Sequence, residues 1–304
     1  MTEWLSDNRR YLLRFLGTLA ATGLIVLLVR EGKWVEVSTA LRQISWIRLL
    51  LGLMLILVSR LFVATRWYLL LRSSKVGISF SDATALTFTG LFASNFLPTT
   101  IGGDVIRLAG AMQMGYDRAI CLASIAVDRM IGMAAMLFTL PAGLIPAWYG
   151  LGHQPIQSVS FSALLVRMQD FSRRMLQAFS IWLKQPLALL AALICTWGHM
   201  LCTFLTLYIL IDGLGWHVGF WLIAGLWSLA YFVTLVPISI NGYGVQELSL
   251  TFLFSTIGGL STAAGLTVAV LIRVLYLAAS LPGAIYMPII LGALDVDRND
   301  KGLS

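Results

Sequence analysis

Apolar segments of two lengths alternate with short polar stretches along the chain. Six segments have about the length that a membrane-crossing helix needs, which is roughly 20 residues. They are the segment between Arg14 and Val29 and residues 46–71, 119–140, 186–210, 220–236 and 260–294. Two others, residues 83–97 and 248–257, are too short to cross. The pattern predicts an all-α polytopic membrane protein with about seven or eight membrane helices, two of them broken re-entrant segments.

Prolines are expected to interrupt two of the long segments. Pro141 and Pro146 should loosen the end of the segment that begins at residue 119, because proline removes a helical hydrogen bond. The last segment, residues 260–294, exceeds one bilayer thickness and contains Pro282 and Pro288. We therefore expect it to be kinked, tilted or broken.

Composition excludes the soluble classes of protein. Apolar residues make up 59% of the 304-residue chain, only 12% is charged, and the mean hydropathy is +0.86. Soluble domains carry about twice that share of charged residues. A water-soluble enzyme, a disordered chain and a disulfide-stapled module are excluded, and residues 1–304 are predicted to form a single transmembrane domain.

The net charge of +7 is interpreted as membrane topology. Basic residues collect at the cytoplasmic face of a bilayer, and no basic run with interleaved aromatics suggests nucleic-acid binding. Arg9, Arg10 and Arg14 precede the first apolar segment, which predicts a retained anchor with a cytoplasmic N-terminus. Arg30 and Lys33 after that segment weaken the orientation argument.

Residues 160–184 show a different pattern. Apolar residues from Phe161 to Trp182 recur at helical spacing, whereas Arg167, Arg173 and Arg174 occupy the other face. An amphipathic helix in the membrane interface is predicted, and a buried connector between helix bundles is the alternative. This helix would link two half-repeats at about residues 46–145 and 186–294.

The two half-repeats contain similar segments, at residues 95–107 and 234–247. Superposing Pro98 on Pro237 also superposes Ile101 on Ile240 and Gly103 on Gly242. Each segment follows a short apolar helix and leads into another that carries a charge. Short segments broken by glycine and proline at matching positions of two halves indicate a transporter site at an inverted-repeat interface.

Broken helices of this kind can hold an anion. The proline ends a helix, the glycines turn the chain, and the N–H groups that begin the next helix attract negative charge. Kinks without a binding role are the alternative. Both segments are expected at membrane depth, where unpaired backbone is tolerated only in a protein-lined cavity.

Charged residues inside the apolar segments indicate a site, since each is costly there. Asp128 and Arg129 lie in mid-segment and point about 100° apart on a helix, so each is expected to have its own partner. Arg273 lies well inside the last segment. Arg60 is near enough to a segment end to snorkel to the interface. Either a structural ion-pair network or a wet cationic cavity for an anionic headgroup explains the set.

No enzyme signature occurs in the chain. His153, His199 and His217 lack metal-ligand spacing, and no nucleophile elbow or phosphate-binding loop is found. The three cysteines lie in apolar stretches and are interpreted as small buried residues. The sequence predicts no enzyme, no cofactor and no metal site, although membrane-embedded transferases need few such motifs.

The segment from Asn95 through Pro98 and Asp104 to Arg107 resembles a signature of a known family. This is the flippase-like family named after the transmembrane region of lysylphosphatidylglycerol synthase, which also includes proteins labelled dolichol-phosphate-sugar synthase-like. The segment from Pro237 to Glu247 resembles its second signature. In that signature an arginine is common where this chain has Gln246, and a glycine where it has Asn241.

The resemblance implies a stand-alone membrane part without the aminoacyl-transfer domain, in a bacterial cytoplasmic (inner) membrane. The expected function is translocation of an anionic-headgroup lipid, namely a phospholipid, an aminoacylated phospholipid or a polyprenyl-phosphate lipid. A membrane-embedded headgroup or glycosyl transferase with Asp104 as metal ligand or base, and a non-catalytic partner of an envelope-lipid enzyme, are the alternatives. The predicted hinges are Pro98 and Pro237. The predicted headgroup-binding residues are Asn95, Gly102, Gly103, Asp104, Arg107, Arg129, Asn241, Gly242, Gly244, Glu247 and Arg273.

Overall fold

The computed structural model describes Thr39, Arg42 and residues 44–97, 102–150, 185–235 and 242–287. Every secondary-structure element in these ranges is a helix, which confirms the all-α prediction. The first apolar segment, the amphipathic stretch at 160–184, the two hinge prolines and Asn241 lie outside the described residues.

Nine helices occupy the described ranges. They are α1 (Trp46–Ser73), α2 (Phe80–Ser94), α3 (Gly102–Gln113), α4 (Arg118–Thr139), α5 (Pro141–Gly150), α6 (Pro186–Gly213), α7 (Phe220–Thr234), α8 (Val245–Thr256) and α9 (Thr262–Ser280). After a turn at Leu281 the last helical segment continues to Met287. Four of these segments are long and apolar enough to cross a membrane, namely α1, α4, α6 and the segment from Thr262 to Met287.

Side-chain caps set where several helices begin. The hydroxyls of Ser45, Ser79 and Ser261 accept hydrogen bonds from backbone N–H groups in the first turns of α1, α2 and α9, and the Asp117 carboxylate caps α4. Each cap satisfies a donor that the helix itself leaves unpaired. Pro141 is the first residue of α5, a position that proline tolerates. The sequence predicted a loosened helix end at this point, and in the structure one helix ends and a new helix begins there.

The two halves of the chain repeat the same order of helix lengths. Helices α1 to α4 contain 28, 15, 12 and 22 residues, and α6 to α9 contain 28, 15, 12 and 19. In each half one of the similar segments connects the two short helices and includes the start of the second. How deep these breaks lie in the membrane stays a prediction.

Helices α1 and α6, the first of each half, pack antiparallel. Arg48 near the start of α1 pairs with Asp212 near the end of α6, and Arg66 near the end of α1 reaches Thr196. Between these contacts the Ser59 hydroxyl lies 2.6 Å from His199 Nδ1, and the two residues are 140 positions apart. Since α1 and α6 also begin at equivalent positions, this contact joins two equivalent residues. A two-fold axis perpendicular to both helices produces such a contact, as an inverted repeat would.

The halves also exchange close backbone contacts. Gly143 of α5 lies against Gly225 of α7, and a Cβ atom on either would overlap the other's backbone. On the opposite side Gly283 lies against the backbone of Phe88 and Thr89 in α2. The end of each half therefore packs on the first short helix of the other, which fixes the two halves against each other.

A methyl group at Gly225 is expected to destabilise the protein. Gly225→Ala would force α5 and α7 apart, because overpacking of a close contact costs about 1–3 kcal/mol. The measurement is the unfolding temperature of the purified protein in detergent, with Gly77→Ala as the control, since a Cβ at Gly77 meets nothing within 4 Å. Equal unfolding temperatures for the two variants would contradict the proposed contact.

Candidate functional site

Five charged side chains of the first half form an ion-pair chain, in which arginines and aspartates alternate. Arg66 Nε lies 2.6 Å from Asp128 Oδ1, and the second oxygen of Asp128 is 3.5 Å from Arg107 Nη1. The same Arg107 nitrogen is 3.2 Å from Asp104 Oδ1, and Asp104 Oδ2 is 2.6 Å from Arg129 Nε. Asp128 and Arg129 have separate partners, as their 100° offset predicts. Three arginines share two carboxylates, so these five side chains together have a net charge of +1.

Aromatic and backbone packing hold this ion-pair chain in place. The Arg107 guanidinium lies 4.2 Å above the Trp67 ring, and the Trp67 indole donates to the Ser124 hydroxyl. Arg107 Nε and Nη2 are buried and have no hydrogen-bond acceptor among the described residues, so the ring face offsets part of their desolvation. A side chain at Gly90 would collide with Arg107 and with the backbone of Gly103. The two glycines thus let α3 approach α2 closely enough for Arg107 to enter the core.

The second half contains a smaller cluster around Arg273. Arg273 Nε lies 2.5 Å from Glu247 Oε1, and Arg273 Nη2 is 3.5 Å from the carbonyl oxygen of Gly242. The other oxygen of Glu247 accepts a hydrogen bond of 2.7 Å from the Gly244 N–H, so Glu247 caps α8 as well. The Tyr243 ring lies 4.6 Å from the Arg273 guanidinium. Glu247 is therefore paired with Arg273, an arginine of its own half.

The pairs Asp104–Arg129 and Glu247–Arg273 occupy equivalent positions in the two halves. Each carboxylate is the third residue of its short helix, and each arginine is the twelfth residue of the helix that follows. In both pairs Nε contacts the carboxylate. The repeat has therefore preserved an ion pair, not only a fold.

The two halves differ at the remaining charged positions. Arg107 corresponds to Leu250 of α8, and Asp128 corresponds to Ile272 of α9. Consequently the second half has one arginine and one carboxylate, whereas the first half has the longer chain of five charges. The Arg129 side chain is 37% exposed and that of Arg273 is 14% exposed. The equivalent arginines therefore differ in their accessibility to a ligand.

A cavity of about 250 Å³ lies between the two halves. Arg60, Arg129 and Arg273 line it, and no acidic residue is among its described lining residues. The other lining residues are neutral, and Leu91, Met136, Ala230 and Leu235 among them are apolar, whereas the rest are polar or aromatic. Among them are Ser94, Asn95, Trp227, Tyr231, Thr234, Gln246, Tyr276 and Ser280. The hydroxyls of Ser94, Thr234 and Ser280 donate to helix carbonyls, so the arginines are the main donors that the cavity offers.

A second cavity of about 220 Å³ adjoins the first. The two share wall residues, including Arg129, His199 and Tyr231. Asp104 and Arg107 line the second cavity only. Arg129 therefore lies between the cavity that the three arginines line and the ion-pair chain of the first half.

Two contacts connect the halves across the main cavity. The Tyr243 hydroxyl lies 3.4 Å from Asn95 Oδ1, and Asn95 Nδ2 donates to the Ser280 hydroxyl at 3.0 Å. On another wall the Arg60 guanidinium lies 4.2 Å above the Tyr276 ring. Arg60 has no carboxylate partner among the described residues.

The structure brings most of the predicted site residues together. Asn95, Arg129 and Arg273 line the main cavity, Asp104 and Arg107 line the second, and Glu247 and Gly242 contact Arg273. Gly102, Gly103 and Gly244 line neither cavity. They begin α3 or cap α8. Asn241 lies outside the described residues, as do the hinges Pro98 and Pro237.

Several cavity residues could not be found from the sequence. Arg60 was equally consistent with snorkelling, and only its place over Tyr276 shows that it turns inward. Trp227, Tyr231 and Tyr276 carry no signal in a chain with 11% aromatic residues. Gln246, which was not among the predicted site residues, also lines the cavity.

Comparison with known proteins identifies the family of the chain. No curated protein matches the chain. Residues 14–283 match the family described as "Lysylphosphatidylglycerol synthase TM region". This match includes both short-helix pairs and all the charged residues of the two clusters. The chain belongs to the family of the lysylphosphatidylglycerol synthase transmembrane region.

Proposed function

We propose that this protein is a lipid translocase that moves a lipid with an anionic headgroup between membrane leaflets. The observation that carries the proposal is the main cavity, which three arginines line and no acidic residue among the described ones does. Arginine offers a planar fork of donors that matches phosphate geometry. A phosphate ester in the cavity would supply the negative charge that its walls lack.

The carboxylates of the two equivalent pairs position the arginines for this task. Asp104 and Glu247 each contact an arginine at Nε, and the guanidinium group of each arginine also reaches the cavity wall. An arginine whose Nε is already held by a carboxylate loses less conformational freedom when a ligand binds its other nitrogen atoms. The phosphate and the carboxylate then compete for the same arginine, and this competition keeps the bound state from being too stable for release.

The transferase alternative gains no support from the geometry of Asp104. Both of its oxygens contact arginines, Oδ1 with Arg107 and Oδ2 with Arg129. Within the described ranges there is no group of three or more His, Cys, Asp or Glu residues placed to hold a metal ion. The translocase, acting without a catalytic residue in a bacterial inner membrane, is the function for which we argue. A companion enzyme of envelope-lipid synthesis would supply its lipid.

Removing the cavity arginine of either equivalent pair, Arg129 or Arg273, is expected to slow transport strongly. Arg129→Ala and Arg273→Ala should each lower the rate of translocation of a fluorescent phosphatidylglycerol in proteoliposomes at least about tenfold, since a charged hydrogen bond contributes ~1.5–3 kcal/mol. Both variants should still fold, although Arg273→Ala should lower the unfolding temperature, because it leaves the buried Glu247 carboxylate without its arginine. The corresponding lysine variants should retain part of the rate, because lysine keeps the charge but not the fork.

Arg48→Ala is the matched control for these variants. Arg48 pairs with Asp212 at the surface of the same bundle, with about 40% of its side chain exposed. Its loss should leave the transport rate unchanged. If Arg129→Ala and Arg273→Ala instead aggregate, or unfold at lower temperature while lipid binding persists, the arginines have only a structural role.

A second prediction concerns coupling to protons through Glu247. An arriving phosphate that takes Arg273 would release the Glu247 carboxylate, which would then take up a proton. Glu247→Gln should therefore bind lipid at least as tightly as the wild type but lose any response of transport to an imposed pH gradient. The measurement is translocation in liposomes with and without the gradient.

Asp104→Asn is the matched variant in the other half, and its response to the gradient should persist. A wild-type protein that ignores the pH gradient would rule out proton coupling. Glu247 would then serve only to orient Arg273.

A further inference from the structure

The three arginines of the main cavity are held in two different ways. Arg129 and Arg273 each contact a carboxylate through Nε, so their charges are partly neutralised. Arg60 has no carboxylate partner within the described ranges, and its guanidinium lies 4.2 Å above the Tyr276 ring. A ring contacts the face of a guanidinium, so N–H groups at the edge can still reach an acceptor. Arg60 is therefore the cavity arginine whose charge no described carboxylate offsets.

Arg60 also lies beside the two-fold axis that relates the two halves. Ser59 and His199 are the fourteenth residues of α1 and α6, and their side chains are in contact. A two-fold axis passes midway between two equivalent residues, so it passes close to this contact. Arg60 follows Ser59 in α1, and both Arg60 and His199 line the main cavity. The axis therefore meets the cavity next to Arg60.

Arg129 and Arg273 lie on opposite sides of the same axis. They are the twelfth residues of α4 and α9, so the axis passes midway between them. Arg60 reaches Tyr276, which is a neighbour of Arg273 on α9 because the two are three residues apart. The arginine beside the axis is thus placed between the two equivalent arginines of the cavity.

The axis gives the three arginines an order across the membrane. Helices α1 and α6 are long and apolar enough to cross and are antiparallel, so an axis perpendicular to both lies in the membrane plane. A half-turn about such an axis exchanges the two leaflets, so Arg129 and Arg273 have matching depths toward opposite leaflets. Arg60 is the fifteenth of the 28 residues of α1, which agrees with a place at mid-depth.

We infer that Arg60 is the transfer residue of the translocase, which holds the headgroup phosphate at mid-depth while it passes between Arg129 and Arg273. The inference rests on the proposed translocase function and assigns one step of it to one residue. A charge is most costly at the middle of a membrane. An arginine without a competing carboxylate binds phosphate most strongly there, whereas Asp104 and Glu247 compete for the other two arginines. The strongest binding thus coincides with the highest cost, which keeps the phosphate from being trapped.

Arg60→Met is the variant that tests this role. Methionine is the residue at the equivalent position of the other half, Met200, and it removes the charge. Binding of phosphatidylglycerol should persist, since Arg129 and Arg273 remain. The maximal rate of translocation should fall at least about tenfold, because a charged hydrogen bond is lost only during passage. The lipid mole fraction that gives half of the maximal rate should stay within about threefold of the wild-type value.

The measurement is translocation of a fluorescent phosphatidylglycerol in phosphatidylcholine liposomes that contain the full-length protein, over a range of lipid mole fractions. Arg60→Lys should restore part of the maximal rate, since lysine keeps the charge. Arg48→Met is the matched control, because it removes a charge of the same helix at the bundle surface and should change neither parameter. The unfolding temperature of Arg60→Met in detergent should not fall, because no described carboxylate loses its partner.

Four results would overturn the inference and leave the translocase in place. They are an unchanged maximal rate in Arg60→Met, a rise in its half-saturating mole fraction that accounts for the slower transport, a loss of rate that matches a loss of folded protein, and a rate in Arg60→Lys no higher than in Arg60→Met. A wild type that moves no phosphatidylglycerol would overturn the proposed function and the inference together.

Radiolabelled glycerol phosphate is the last arm of the test, because a lipid headgroup and a free phosphate ester share the same chemistry. Its exclusion from liposomes that contain the wild type supports a lipid as the ligand. Its uptake would make a free phosphate ester the transported molecule, and this result would overturn both the translocase and the inference.

Discussion

Pairing of charges within an apolar bundle is the constraint on which the rest of this structure depends. An isolated charge costs several kcal/mol in such surroundings, so each must find a partner or water. The buried chain from Arg66 to Arg129 meets the requirement with alternating signs, and the Arg273–Glu247 pair meets it in the other half. The helices that carry these residues are thereby held in one arrangement. The close packing of Gly90 on Gly103 supports the same contacts, because it leaves room for the Arg107 side chain.

The internal repeat explains why two such clusters exist. Each half places a carboxylate in the first turn of a short helix and an arginine midway along the next long helix. With α1 packed antiparallel on α6, the arginines of both pairs line one cavity. The halves have diverged at Arg107 and Asp128, which gives the first half its extra charges. The repeat therefore makes the two halves similar around the cavity, and the charges at Arg107 and Asp128 make them different.

Local signals made much of the fold predictable from the sequence, and tertiary contacts explain what was not. The length of the apolar segments placed most helix ends within a few residues, as at the predicted segment 119–140 and the observed helix Arg118–Thr139. The matched Gly/Pro segments and the mid-span charges indicated which residues would converge. Which charges pair was not predictable, because the partner of Arg66 lies 62 positions away on a different helix. The inward turn of Arg60 likewise depends on Tyr276, a residue of the other half.

The count of charges around the two cavities connects the fold to its proposed activity. Five arginines, at positions 60, 66, 107, 129 and 273, face only three carboxylates there. A protein that needed ion pairs for stability alone would gain nothing from the surplus, because each unmatched arginine adds repulsion and desolvation cost. The surplus faces the cavity, through Arg60 and the exposed side of Arg129. Water can compensate it while the cavity is empty, and an anionic headgroup does so better once water leaves. The same imbalance that makes the empty site costly therefore favours an anion as its occupant.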